Sequence, residues 1–446
     1  MIESTILTER YPNGEIQKTQ VLRFDDWTSL RFFRGAPDPG ALAAYARIYR
    51  KFLVPASPKA FGRMALVQLP AGLDVSAFGI GPGADPLLSA ASCLREGVSL
   101  RKDGSPAFRT ETARLLWDAL EREGCVEIVC GELPFTRILP VRSDAFQLSR
   151  NAGGEAMLVN ASFFVFDPFD CATRYDAIGT PFGLAVKDGK VLQPPLFGRE
   201  ALIVRADGSV SVETPALKDL GIVLGGRAIR AGETAEVFSR PARRRTPQGS
   251  GFDHVITGCR VLDVVPAGVT EIPAAGFVLR LPERAAGPGD DVRYTGMEDV
   301  RFAVQAGNSL MKDGVKTDRF VSGFYDIHRP WRTPFPPCLY PLDYDRARAA
   351  RIAVGADKDG KPMILWAEGA AKIGYRPGEG SCGASLAEFA AICEKAGMRN
   401  GVNLDGGGSA EILLNGVRTL AISDRSEDGA ETERFVPLGL AVSNRL

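Results

Sequence analysis

The residue types most suited to chemistry lie together in RNGVNLDGGGSAEILLNG, Arg399 to Gly416. Val402 and Leu404 alternate with Asn403 and Asp405, so a strand here buries the first pair and projects the second from its opposite face. Gly406, Gly407 and Gly408 follow at the strand's C-terminal end, and then Ser409. A glycine triplet reaches backbone conformations closed to other residues and can turn successive amides toward one concavity. Beside a carboxylate, such a turn suits a phosphate or a cluster of sugar hydroxyls. AEILL and VRTLAI read as a hairpin around Asn415-Gly416, so no helix follows the triplet. That excludes a P-loop and a dinucleotide fold, which both need a helix N-terminus at this point. The plain alternative is a flexible connection carrying a solvated Asp.

Short β-rich runs punctuated by Asp-Gly or Asn-Gly position this loop. FGLAVKDGKVLQ, ALIVRADGSVSVE, NSLMKDGVK, RIAVGADKDGKPMILWAE and AEILLNGVRTLAI each read as strand, tight turn, strand. They share no fixed period, so the region is a hairpin-rich sheet and not a repeat array. One helix interrupts it, with Ser385 and Glu388 as a capping box, Leu386, Phe389, Ala390 and Cys393 as the apolar stripe, and Gly397 as the stop. Before about residue 150 the pattern mixes helix and strand. PGALAAYARIYRKFLVP (Pro39 to Pro55) and ETARLLWDALEREG (from Glu111) read as helices, and CVEIVC as a strand. The expected class is therefore α+β: a hairpin-rich mixed sheet with flanking helices over 151–446, plus an N-terminal α/β lobe of unassigned role over 1–150. RPARRRTPQGSG (from Arg240) reads as an exposed loop, and RPWRTPFPPCLYP (from Arg329) is too Pro-rich for a central strand.

Composition narrows the function classes. Lys plus Arg and Asp plus Glu are both 54 in 446 residues, so no sustained basic field exists to coat a nucleic acid polymer or an anionic membrane. Two histidines, His254 and His328, are too few for an imidazole-built zinc centre, and both are read as structural. The eight cysteines show no CxxC pair and read as reduced, mostly buried thiols. The start lacks the pattern of a secretory signal, and no apolar run is long enough to span a bilayer, so a cytoplasmic protein is expected.

NLDGGGSA resembles the signature of the phosphodiester glycosidase family, and further landmarks occur in that family's order. VNASFF, with Asn160, Phe163 and Phe164, is similar to the family's Asn-Gly-Gly-Phe-Phe, with Ala161 and Ser162 in place of the glycines. FGLAVKDGKV resembles the hairpin that follows. VQAGNSLMKDG resembles the glycine-bearing segment before a Leu-x-x-Asp-Gly turn, with Asn308 and Ser309 departing from its Gly and Pro. RIAVGADKDG resembles the Arg-Thr-Ala-Ile-Gly strand, GASLAEFA the helix before the signature, and RFVPLGLAV the closing strand. The resemblance covers about residues 150 to 446.

It implies a hydrolase that cleaves the sugar C1–O bond of a glycosyl phosphodiester, a sugar-1-phosphodiester or a nucleotide-sugar-like small molecule. Asp405, Arg351 and Asn160 are then the catalytic candidates; Asn403, Gly406, Gly407, Gly408, Ser409 and Asn308 are the substrate-binding ones. Glycoside hydrolysis usually employs two carboxylates, and only Asp405 is convincing here. Glu411 is a candidate second carboxylate, although a cross-strand charge explains it as well. A departing phosphate is a weak base, so stabilising its charge with Arg351 and the triplet amides matters more than protonating it. Each has a structural alternative: an Asx-turn for Asp405, a surface ion pair for Arg351, a turn cap for Asn160. Glu298, Asp299, Asp357 and Asp359 read as turn residues, Arg243 to Arg245 as a solvated loop, and Trp331 and Tyr340 as loop packing or a sugar platform. No cofactor is required; Asp405 and asparagine oxygens could hold a divalent cation, but no ligand cluster demands one. Oligomeric state is not legible. A non-catalytic sugar-phosphate binding protein in polysaccharide (exopolysaccharide) assembly is the alternative function, and glycines serving only the fold is the plainest reading.

Overall fold

The computed structural model describes residues 2–34, 146–165, 179–320 and 347–443 apart from short gaps, a few positions within 173–176, and parts of 52–130. Three antiparallel sheets enclose the main core. A seven-stranded sheet runs in the order Ile2–Arg10, Ile16–Phe24, Pro362–Ala367, Arg351–Asp357, Met398–Asn403, Ser309–Lys312, Val315–Lys316. A five-stranded sheet runs Val417–Arg418, Ile412–Leu414, Glu155–Asn160, Gly439–Ser443, Leu30–Phe33. A second five-stranded sheet runs Lys190–Gln193, Ala185–Lys187, Val300–Gln305, Ala201–Arg205, Val210–Glu213. Their inner faces meet: Leu22, Ile352, Val354, Trp366 and Val402 from the first, Met157, Val159, Ile412 and Leu440 from the second, Leu202, Val204, Phe302 and Val304 from the third.

The outer faces are covered too. The helix Leu386–Lys395 lays Leu386, Phe389, Ala390 and Cys393 on Ala353, Met363 and Leu365, so alternate residues of Arg351–Asp357 serve two different cores. The third sheet turns Leu184, Val186, Ile203 and Ala303 onto strands from 221–295. Burial on both faces explains why RIAVGA and PMILWA are apolar almost throughout, without the alternation of a half-solvated strand.

The expected α+β class is corrected by this arrangement. The fold is mostly β, built from several antiparallel sheets, and the described residues contain two α-helices, Glu111–Arg122 and Leu386–Lys395. The physical reason is that sheets, rather than flanking helices, cover most sheet faces. The segment read as a helix up to Pro55 lies largely outside the described residues, and its described part, Phe52–Val54, is a strand paired with Ala65 to Val67. Strands Ile2–Arg10, Ile16–Phe24 and Leu30–Phe33 belong to the sheets that contain 351–443. Residues between 63 and 130 bury a core of their own, around Leu94, Leu116, Trp117 and Leu120.

Local signals match the structure closely. The Ser385–Glu388 capping box is formed. Asp188, Asp313 and Asn415 are the described non-glycine residues with positive φ, each followed by Gly at a tight turn. Arg243 to Arg245 are exposed, whereas Arg240 is buried with its Nε on the Ile272 carbonyl. No helix among the described residues is long and apolar enough to cross a membrane.

Candidate active site at the glycine triplet

The strand Met398–Asn403 lies between Arg351–Asp357 and Ser309–Lys312, with Asn403 opposite Ala353. Past Asn403 the chain leaves the ladder but stays tied to it. The Leu404 amide donates to the Ile352 carbonyl at 2.7 Å and the Gly407 amide to the Ala350 carbonyl at 2.8 Å. On the other side the loop is fastened to the second sheet: the Asp405 amide donates to the Ala161 carbonyl at 3.0 Å. Asn160, at the end of its strand, donates from Nδ2 to the Asp405 carbonyl at 2.7 Å, and its Oδ1 accepts from the Glu411 amide at 3.2 Å. Asn160 therefore joins the two ends of the loop through one buried amide group.

Each glycine has its own physical reason. A Cβ on Gly406 would approach the Ala350 carbonyl oxygen to 2.6 Å. Gly407 has φ +59°, a left-handed conformation that L side chains rarely adopt. A Cβ on Gly408 would overlap the Asp424 carboxylate outright. The triplet closes a single 3-10 turn over Gly407–Ser409, with the Ala410 amide on the Gly407 carbonyl. Close packing accounts for Gly406 and Gly408, and backbone conformation for Gly407.

Within the loop, Asp405, Gly406 and Gly407 are half-buried, while Asn403, Leu404 and Gly408 to Ala410 are buried. Asn403 is fully buried and donates from Nδ2 to the Leu404 carbonyl at 2.9 Å. Asn308 accepts the Asn403 amide on its carbonyl at 2.8 Å, and its side-chain oxygen accepts from the buried Arg199 at 3.4 Å. Arg351 starts its strand beside Gly406; its Nε donates to the Ala384 carbonyl at 3.0 Å and Nη2 to the Ala347 carbonyl at 2.9 Å. Ser409 accepts at Oγ from Arg434 Nη1 at 3.4 Å. The segments of Asn160, Asn308, Arg351 and Asp405 are thus brought against one another.

Glu411 turns elsewhere. Its carboxylate pairs with Arg418 Nε at 2.6 Å, in a cluster that includes Glu431 and Glu433. Burial, aided by the neighbouring Glu433, pushes its pKa up to about 7. Glu298 and Asp357 accept nearby backbone amides, as turn residues do. His254 is buried, its Nδ1 on the Leu279 carbonyl and its Nε2 accepting the Ala285 amide, and burial lowers its pKa. Trp331, Tyr340 and His328 lie outside the described residues. Among the described residues no group of three or more His, Cys, Asp or Glu is placed to hold a metal ion.

The reading by sequence missed Asp424, Arg434 and Arg199. Arg434 Nε pairs with Asp424 at 2.6 Å against the last glycine of the triplet. Arg434 opens the closing-strand landmark, which was the only signal for it; Asp424 in ISDRSEDG has the composition of an ordinary turn.

Residues 267–443, which include Asn308, Arg351, the 403–409 loop, Asp424 and Arg434, match the family model described as phosphodiester glycosidase. The matched stretch is less than half of the chain. Asn160 lies outside the matched stretch, which is therefore clasped by a strand from upstream. Among curated proteins, the N-acetylglucosamine-1-phosphodiester alpha-N-acetylglucosaminidase of Bos taurus is 36% identical over 208 residues, 46% of this chain and 37% of that protein. The Mus musculus enzyme of the same name is 35% identical over 80 residues, 18% of this chain and 14% of that protein. The chain thus spans well under half the length of both. Among solved structures, a hypothetical protein from Synechocystis aligns with TM-score 0.43 and 14% identity, over 99% of this chain and 61% of that one. The zebrafish N-acetylglucosamine-1-phosphodiester alpha-N-acetylglucosaminidase catalytic domain, auto-inhibited by its pro-peptide, aligns with TM-score 0.38 and 11% identity, over 100% of this chain and 83% of that one.

Proposed function

We propose that the chain is a glycosidase that hydrolyses the sugar C1–O bond of a glycosyl phosphodiester, with Asp405 as the carboxylate facing C1. The observation that carries this reading is the way the family signature is built: Asp405 is half-buried at the loop's accessible end, while its backbone is held by Ala161 on one side and Asn160 on the other. A carboxylate carried on a backbone held in that way needs little reorganisation when positive charge develops. Cleavage of a glycosidic bond passes through an oxocarbenium-like state with positive charge at the anomeric carbon, which Asp405 stabilises as nucleophile, base or electrostatic partner.

Arg351 has its backbone beside Gly406 and its guanidinium braced on the Ala384 and Ala347 carbonyls, where it contributes positive charge to the site. Asn160 is assigned a positioning role, because its amide is engaged at both ends with the loop backbone. The leaving phosphate, whose second pKa is about 6, departs without needing a strong general acid. The small-molecule substrate is a sugar-1-phosphodiester or a nucleotide-sugar-like compound.

One observation favours a second reading, a sugar-phosphate binding protein without turnover: the other loop carboxylate, Glu411, is drawn to Arg418. Sugar release from a panel of glycosyl phosphodiesters, followed by mass spectrometry, separates the two. Asp405→Asn is expected to lower turnover by about 100-fold or more while the ligand still binds. An Asp405→Asn protein with wild-type turnover on a confirmed substrate would reject the assignment, since Asn forms the same Asx-turn.

A further inference from the structure

The loop's other end is anchored by a buried ion pair. Asp424 is nearly inaccessible and Arg434 mostly so, with 4% and 15% of their side chains exposed. Asp424 fills the space that a side chain on Gly408 would need. The Asp424 carbonyl accepts the Thr432 amide at 3.0 Å and Arg425 Nη1 at 3.0 Å, so its position is set from two further points of the chain. The guanidinium of Arg434 is oriented through Nε by this carboxylate and reaches Ser409 Oγ through Nη1. Ser409 Oγ therefore accepts from Arg434, and its own proton is directed to a different acceptor. A planar cation and a hydroxyl donor, held side by side at the end of the turn, form the donor set that binds a phosphate oxygen.

We propose that Arg434, oriented by Asp424 and acting with the Ser409 hydroxyl, binds the anionic phosphate group of the ligand at the glycine triplet. The inference deepens the proposed function and rests on it for the ligand class. It assigns a phosphate contact to Arg434, whose guanidinium reaches the Ser409 hydroxyl at the end of the triplet, while the Arg351 guanidinium is directed to the Ala384 and Ala347 carbonyls. Asp405 and Arg434 then stand at the two ends of one tied loop. The sugar's anomeric carbon faces the first and the phosphate the second.

Titration calorimetry of the full chain, with inorganic phosphate and N-acetylglucosamine 1-phosphate as charged probes and N-acetylglucosamine as the neutral one, tests this. Arg434→Gln is expected to weaken both charged probes by about tenfold or more, the size of one lost charge-assisted hydrogen bond, with little change for the neutral sugar. Arg434→Lys keeps the charge beside Asp424 but cannot span Asp424 and Ser409 as a fork, and it should show the same selective loss in a folded protein. Ser409→Ala should show a smaller loss of the same kind. Equal weakening of charged and neutral probes would make Arg434 a structural brace only and overturn the proposal. So would wild-type affinity for the charged probes in Arg434→Gln and Arg434→Lys, or an unmodified chain that binds neither charged probe. Hydrolysis is not read in this experiment, so failure of the Asp405 assignment would show separately, as a protein that binds phosphate without releasing sugar.

Discussion

Replacing Glu411 by Gln should change how stability depends on pH, and the size of the change follows from the cluster around it. Arg418 is shared by Glu411 at 2.6 Å, Glu431 at 2.9 Å and Glu433 at 3.8 Å; Arg425 lies 3.5 Å from Glu431, and Ser149 donates its amide and hydroxyl to Glu433. Three carboxylates facing two guanidinium groups favour retention of a proton, and Glu411, with 4% of its side chain exposed, is where burial favours it most. Its carboxyl rises from the ordinary 4.5 to about 7 on folding. Below pH 4.5 both folded and unfolded chains hold this proton. Between 4.5 and 7 the folded chain alone holds it, so stability falls as pH rises through this window. At 1.36 kcal/mol per pH unit the full effect is at most about 3 kcal/mol. Gln mimics the protonated acid and can still accept from Arg418. Urea unfolding at pH 5 should therefore give Glu411→Gln and wild type similar stabilities, whereas at pH 8 the variant should be the more stable by up to about 3 kcal/mol. Other groups titrate over the same range, so the quantity to compare is the difference between the two proteins. Parallel pH profiles for both would refute the reasoning, because they would place no proton on Glu411.

The glycine triplet offers a contrast within three residues. Gly408→Ala should lower stability by about 2 kcal/mol or more through overlap with Asp424, and Gly407→Ala by about 1 to 2 kcal/mol through its backbone conformation alone; denaturant midpoints check the order, and a costlier Gly407→Ala would contradict it. Asn160→Ala should cost about 2 kcal/mol, since it strands the Asp405 carbonyl and the Glu411 amide, and should slow sugar release with little effect on ligand affinity. Equal loss of affinity and rate would instead assign Asn160 to direct substrate contact.

Short-range chemistry was the legible part of this chain. Turns at Asp188, Asp313 and Asn415, the cap at Ser385 and the exit of the chain after Asn403 are all decided by neighbours a few residues apart. The class was misread because covering elements leave little trace in a strand. Ile352 and Ala353 face different cores, one capped by sheets and one by a helix, and both are simply apolar. At the site, the loop carrying Asn403, Asp405 and Ser409 could be read directly, since one strand and one turn present them. Asp424 could not. Its importance comes from contact with Gly408 and Arg434, residues 16 and 10 positions away along the chain, and nothing in its immediate surroundings separates it from an ordinary turn aspartate.

The strand Gly439–Ser443 sits inside its sheet, with Glu155–Asn160 on one side and Leu30–Phe33 on the other. Leu440 faces Phe32 and Val159 at once, so some of the earliest residues of this chain wait for some of the latest. During synthesis the Leu30–Phe33 edge and the strand bearing Asn160 emerge long before the segment that joins them. Until then, both expose unpaired backbone to other chains. Topology of this kind makes folding slow and ties the order of assembly to the synthesis of Gly439–Ser443. A ribosome stalled before Gly439 would hold a protein whose signature loop had been made but whose central strand had not.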